Sequence, residues 1–317
     1  MTSGEYVDRF GNHWSADRYF TGGTTANVRY ISLAMADDPG VYQHLRAGEE
    51  FTYDIPLRPG VYEMRLMFAE SAGTPILGSV GDGARAFHVD ANGVQILPPR
   101  DGRHMEQMDV VADAGGLEVA NIKVVKDLSP APDGKLHLRF SARNQRAFVN
   151  AIEIVPGLKG KMRPLRWRAN DTPYTDSNGR LWLADRYYRG GRLSRFRATV
   201  SRTNDPALYE GERFGSFTYS IPVAAGSTYT VQMHFAENYF GGYVPRLAHP
   251  RIFNVFANHV QVLRDFDITR EAGAAVTAVT KTFRGVRPNV FDKIVLNFEP
   301  STELAIVNAI SVEDEAR

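Results

Sequence analysis

Asp8–Arg9–Phe10–Gly11–Asn12–His13–Trp14–Ser15–Ala16–Asp17–Arg18–Tyr19–Phe20–Thr21–Gly22–Gly23 returns later in the chain as Asp176–Ser177–Asn178–Gly179–Arg180–Leu181–Trp182–Leu183–Ala184–Asp185–Arg186–Tyr187–Tyr188–Arg189–Gly190–Gly191. Asp8 and Asp176, and Gly23 and Gly191, are each separated by 168 positions. The echo continues in order. Asp38–Pro39 answers Asp205–Pro206, and Phe51–Thr52–Tyr53–Asp54–Ile55–Pro56 answers Phe217–Thr218–Tyr219–Ser220–Ile221–Pro222. Phe68–Ala69–Glu70 answers Phe235–Ala236–Glu237, and Asn150–Ala151–Ile152 answers Asn308–Ala309–Ile310. Two copies of one framework provide an internal control. Residues present in both serve the fold, and residues present in one are where function can differ.

The 317 residues divide into a first copy over 1–156, a basic linker over 157–164 and a second copy over 165–317. Each copy is long enough to enclose its own core. A net charge of +1 gives no strong pull toward nucleic acid or an anionic membrane surface. With no cysteine, disulfides, thiolate metal sites and cysteine nucleophiles are excluded. No apolar run reaches membrane-spanning length, so insertion is not expected. No cofactor is expected: Asp265 and Asp267 lack the dense acidic loop of a calcium site. The paired glycines lack the lysine and following helix of a phosphate loop.

Alternation dominates within each copy. Phe217–Val223, Tyr229–Phe235, Ile252–Ala257, Val260–Leu263, Ile294–Phe298 and Ala305–Val312 are short period-two runs divided by Gly, Asn and Pro. Such runs predict strands of a sandwich or barrel. Asn258–His259 reads as a hairpin turn. Asp205–Tyr209 reads as one helical turn, with Asp205 as N-cap and Pro206 at the first position. The expected fold class is all-β: two tandem antiparallel β-sandwiches.

The ordered motifs Asp–x–x–Gly–x–x–Trp–x–x–Asp–x–Tyr–x–x–Gly–Gly, Asp–Pro–x–x–Tyr, Phe–x–Tyr–x–Ile–Pro, His–Phe–Ala–Glu–x–Tyr–Phe and Asn–Ala–Ile resemble the malectin family. The resemblance covers nearly the whole chain, once per copy. It implies jelly-roll-like lectin domains that bind carbohydrate, with gluco-oligosaccharide ends as the founding ligand. Carried over residue by residue, the family's sugar site falls on Tyr239 and Phe240 after Phe–Ala–Glu. It also falls on Phe214 in Glu212–Arg213–Phe214, on Tyr187 or Tyr188 near the double glycine, and on Glu303 as the late acid. The first copy departs from this pattern, with Ser71–Ala72 after its Phe–Ala–Glu, Ala47 facing Phe214 and Gln145 facing Glu303. It also carries an insertion around residues 98–104.

Aromatic rings suit the apolar C–H face of a pyranose, and a carboxylate orients its hydroxyls. Modules of this kind bind in the millimolar to micromolar range, about 4–8 kcal/mol. The sequence therefore leads to non-catalytic binding of a glucose-containing or related neutral oligosaccharide by the second copy. The location expected for it is extracytoplasmic, as part of a larger protein. The alternative is a protein- or peptide-binding module of a receptor- or sensor-like ectodomain. A hydrolase is disfavoured because no nucleophile–base constellation is visible, and the shared Glu70 and Glu237 read as structural acceptors. His234, replaced by Met67 in the first copy, reads as a core or half-buried histidine and not a metal ligand.

Overall fold

The computed structural model describes residues 4–316 apart from 31, 73, 78–82, 84, 100–105, 143–144, 198 and 244–249. Most of the 98–104 insertion lies outside the described residues. The chain forms two compact units. One is 1–162 with 222–225 and 290–292, and the other is 163–221, 226–289 and 293–317.

Each unit is an antiparallel β-sandwich. In the first, His44–Pro56 and Lys135–Ala142 lie at the centre of a seven-stranded sheet. The facing sheet has three strands, Ala151–Pro156, Tyr62–Phe68 and Asn121–Leu128. In the second, Gly211–Pro222 and Lys293–Thr302 are central in a six-stranded sheet. Opposite it stand Leu165–Arg168, Ala309–Asp314, Tyr229–Phe235 and Val279–Val286. Alternation sends every second side chain inward. Tyr229, Val231, Met233 and Phe235 are buried while the residues between them are half-buried. The same core ring pair stacks in each unit: Phe51 on Phe140 at 4.7 Å and Phe217 on Phe298 at 4.5 Å. Asn258 and His259 both take positive φ, at 46° and 69°, and close the hairpin of Ile252–Ala257 and Val260–Phe266. That is the geometry a right-twisted two-residue hairpin needs.

The repeated motifs resolve into polar pins. Asp8 accepts from the backbone N–H of Phe10 and Asn12 and from Trp14 Nε1. Asp176 accepts from Asn178, Arg180 and Trp182 Nε1. Burial works against the charge on Asp176, but hydrogen bonds from Trp182 and Arg180 outweigh it and hold its pKa at about 2. Asp17 accepts from Tyr53 Oη at 2.8 Å and from Arg46, and Asp185 does the same with Tyr219 and Arg213. The two arginines then donate to the carbonyls of Gly22 and Gly190. Breaking such a buried ion pair costs about 3–5 kcal/mol. The double glycine is a bulge against the next strand: a Cβ on Gly191 would meet the Phe214 carbonyl oxygen at 2.9 Å. Asn150 and Asn308, both fully buried, tie the last strand to the sheet. Each accepts from one backbone N–H and donates to two carbonyls.

The turn at Asp205 differs from expectation. Pro206–Tyr209 is a 3₁₀ turn, but the Asp205 carboxylate makes no capping hydrogen bond. It binds Tyr174 Oη and Ser177 instead, because the loop before the second copy's Trp182 supplies closer donors. Asp267 caps the short helix Ile268–Ala272 through the N–H of Arg270. His234 sits edge-on to Trp182 with its Nδ1 near Tyr209 and Thr280. Burial, reinforced by Arg180, pushes its pKa down to about 4.

Candidate functional site

In the second unit a cavity of about 890 Å³ is lined by Phe196, Glu212, Phe214, Tyr239, Phe240, Tyr243, Arg251 and Glu303, together with Ser194, Arg195, Arg197 and Leu304. Its aromatic wall begins with the buried Glu237. One carboxylate oxygen accepts from the backbone N–H of Tyr239 at 3.1 Å and of Phe240 at 3.0 Å. The other accepts from Arg251 Nε at 2.7 Å. The chain therefore turns sharply just after Phe–Ala–Glu, and the two rings are delivered side by side at 4.8 Å. Tyr243 N–H closes the loop on the carbonyls of Asn238 and Tyr239. Gly242 permits this closure, since a Cβ there would lie 2.4 Å from the Asn238 oxygen. Tyr239 and Tyr243 then face each other at 6.1 Å, both 6.0 Å from Phe196.

Phe214 comes from the long strand Gly211–Pro222, opposite Arg192 and Ile306. Glu303 comes from the turn between Lys293–Thr302 and Ala305–Val307, where it is exposed and takes φ of 59°. Gln145, its counterpart in the first unit, takes φ of 61°, so the two positions share a left-handed backbone. Phe214, Tyr239, Phe240 and Glu303 thus line one cavity.

Tyr187 and Tyr188 do not line it. Tyr187 is 5% exposed, packs edge-on against Trp167 at 5.6 Å and takes φ of 63°. Its carbonyl accepts from Ser220 N–H, as that of Tyr19 does from Asp54. Tyr188 lies under the guanidinium of Arg213, 3.3 Å from its ring centre. Both positions repeat in the first copy as Tyr19 and Phe20, and this pairing is the sequence sign of a framework role. Phe196, Tyr243, Glu212 and Arg251 escaped the sequence reading. Phe196 and Tyr243 carried a signal, because neither has an aromatic counterpart in a motif shared by the copies.

The first unit has a cavity of about 690 Å³ of a different kind. Its walls include Tyr19, Tyr53 and Ile152, counterparts of Tyr187, Tyr219 and Ile310. In the second unit Trp167 packs on Tyr187 and Tyr219 and pairs with Ile310. The first unit's cavity therefore matches the place where Trp167 sits in the second, and not the aromatic pocket. Among the described residues no group of three or more His, Asp or Glu side chains is arranged to hold a metal. Among the same residues no helix is long and apolar enough to cross a membrane.

The sequence model of the malectin domain matches residues 2–152 and again 166–310. The chain belongs to the malectin domain family, as two tandem copies. No curated protein matches it. Similar solved structures include the ANX2 ectodomain from Arabidopsis thaliana, at 20% identity and a TM-score of 0.49 over 99% of this chain and 94% of that one. The plant receptor-like kinase FER is similar at 17% identity and a TM-score of 0.49, over the same shares. A structure of the plant peptide RALF23 in complex with FER and LLG2 is similar at 17% identity and 0.46, over 97% of this chain and 92% of that one.

Proposed function

We propose that the chain is a non-catalytic binding module, organised as domains 1–156 and 165–317 around a linker 157–164, and that the second domain binds carbohydrate through the aromatic cavity. The observation that carries this reading is the assembly, among the described residues of the second copy alone, of Phe196, Phe214, Tyr239, Phe240 and Tyr243 around Glu212 and Glu303. Rings offer dispersion and apolar burial to a sugar face, and the acids and arginines offer partners to its hydroxyls. A glucose-containing or related neutral oligosaccharide fits this mixture. An extracytoplasmic setting within a larger protein is part of the same reading.

The second reading is a protein- or peptide-binding module. None of the similar structures above is described with a sugar, and FER is described with a peptide. On this chain the reading rests on the exposed Tyr243, 76% accessible, and on Tyr239 beside Arg195 and Arg197. Tyr and Arg are the residue types that dominate protein-binding hot spots.

A glycan array probed with the intact chain and with Tyr239→Ala separates the two. A glycan retained by the wild type and lost, by at least about tenfold, in the variant supports the sugar site. A blank array at high protein concentration overturns it and leaves the peptide reading.

A further inference from the structure

Glu212 stands in the wall of the aromatic cavity and is 2% exposed. Its Oε2 is buried and has no hydrogen-bond partner. Leaving a polar atom in that condition costs free energy that a ligand or water partner in the cavity would relieve. The first copy shows the packing solution: the position before Arg46, matching the one before Arg213, is Leu45, fully buried in the core. The acid is thus confined to the copy that has the aromatic pocket.

The charged and titratable groups around it come from several elements. Arg251 precedes the strand Ile252–Ala257, and Glu237 follows Tyr229–Phe235. Arg195 and Arg197 lie at the end of Tyr188–Arg195, Tyr239 and Tyr243 stand in the aromatic loop, and Glu303 occupies the turn before Ala305–Val307. Arg251 is engaged by Glu237, and Arg195 by Asp171, so neither neutralises Glu212 through a direct ion pair. Burial disfavours the carboxylate most. Arg251 offsets this in part, Glu237 adds to it, and the pKa is pushed up to about 8.

We propose that Glu212 is a ligand-contacting residue of this cavity and acts as a neutral carboxylic acid, donating its O–H to an oxygen of the bound sugar. The proposal rests on the carbohydrate reading of the cavity. It makes binding pH-dependent in a defined direction. The neutral acid is a donor and the carboxylate is an acceptor only, so affinity holds below neutrality and declines on the alkaline side. The same group has a ligand-free signature. The folded chain keeps a proton that the unfolded chain releases near the ordinary 4.5, so this contribution to stability is full below 4.5. It is lost as pH rises through about 8.

The test uses the intact chain, Glu212→Gln, Glu212→Leu and Tyr239→Ala. Calorimetric titrations with a panel of α- and β-linked glucose disaccharides run from pH 5.5 to 9.5, beside thermal unfolding from pH 4.5 to 9.5. For the wild type, Kd is expected to be level at low pH and to rise up to about tenfold per pH unit above the midpoint. Glu212→Gln keeps a neutral donor, so its affinity stays near wild type and its profile is flat. Glu212→Leu binds about tenfold more weakly at every pH. Glu212→Gln also gains thermal stability over the wild type as pH rises from about 4.5 to about 8, and the gain levels off above that. Wild-type affinity in Glu212→Leu, or the same pH profile in wild type and Glu212→Gln, overturns the proposal. If binding is then still lost in Tyr239→Ala, the sugar site stands without Glu212. If no disaccharide binds the wild type, this proposal and the carbohydrate reading fall together and the peptide reading is left.

Discussion

At Glu237 one side chain performs two tasks: it anchors Arg251 and it accepts the N–H groups of Tyr239 and Phe240. It touches none of the cavity, yet it sets where two of the rings stand. Glu70 pairs with Arg85 in the first unit and shows that the ion pair belongs to the framework. In the second unit the aromatic residues that follow it line the cavity. Glu237→Gln removes the charge partner of a buried guanidinium. It is expected to cost about 3 kcal/mol in urea unfolding, and to weaken ligand binding by loosening the loop. A variant with wild-type stability would show that the pair is not a stabilising contact. The shared acid was legible in the sequence because it occurs twice. Glu212 was not, because a single acid in an alternating strand carries no sign of whether it meets solvent or a closed cavity.

The loop from Asn238 to Tyr243 shows how an element turns sequence into a site. Its aromatics read as exposed because Gly241–Gly242 follows them, but their mutual placement depends on Tyr243 N–H folding back onto Asn238 and Tyr239. Gly242→Ala forces a Cβ against the Asn238 carbonyl, so the closure must open. The expected result is at least a tenfold loss of ligand affinity, with global stability reduced by about 1 kcal/mol or less, as befits a surface loop. Equal losses in both would place the loop in the core instead. The strand ends tell the opposite story. Tyr19 and Tyr187 share a left-handed backbone at the turn into the double-glycine bulge, and Tyr187 is sealed by Trp167. Spacing alone could not separate these rings from binding rings, because motif position gives no side-chain direction when register is uncertain by one residue.

Across the whole chain, two units with the same stacked core rings, the same Asp–Arg–Tyr pin and the same buried asparagine differ at the cavity positions. Leu45, Ala47, Ala72, Gly73 and Gln145 stand in the first copy where Glu212, Phe214, Tyr239, Phe240 and Glu303 stand in the second. The expected stoichiometry is therefore one ligand per chain, measured by titration calorimetry at saturating concentration, and two equivalent sites would contradict this assignment. The sequence by itself determined the duplication, the all-β class and the motifs that both copies share. Period-two burial and a repeated motif are local signals, and two copies cancel what is incidental to either. Only the tertiary structure decided which aromatics share a cavity, that Phe196 and Tyr243 join Tyr239, and that Glu212 is buried beside them. Those facts depend on loops and strands distant in sequence meeting within a few ångströms, which no local pattern encodes.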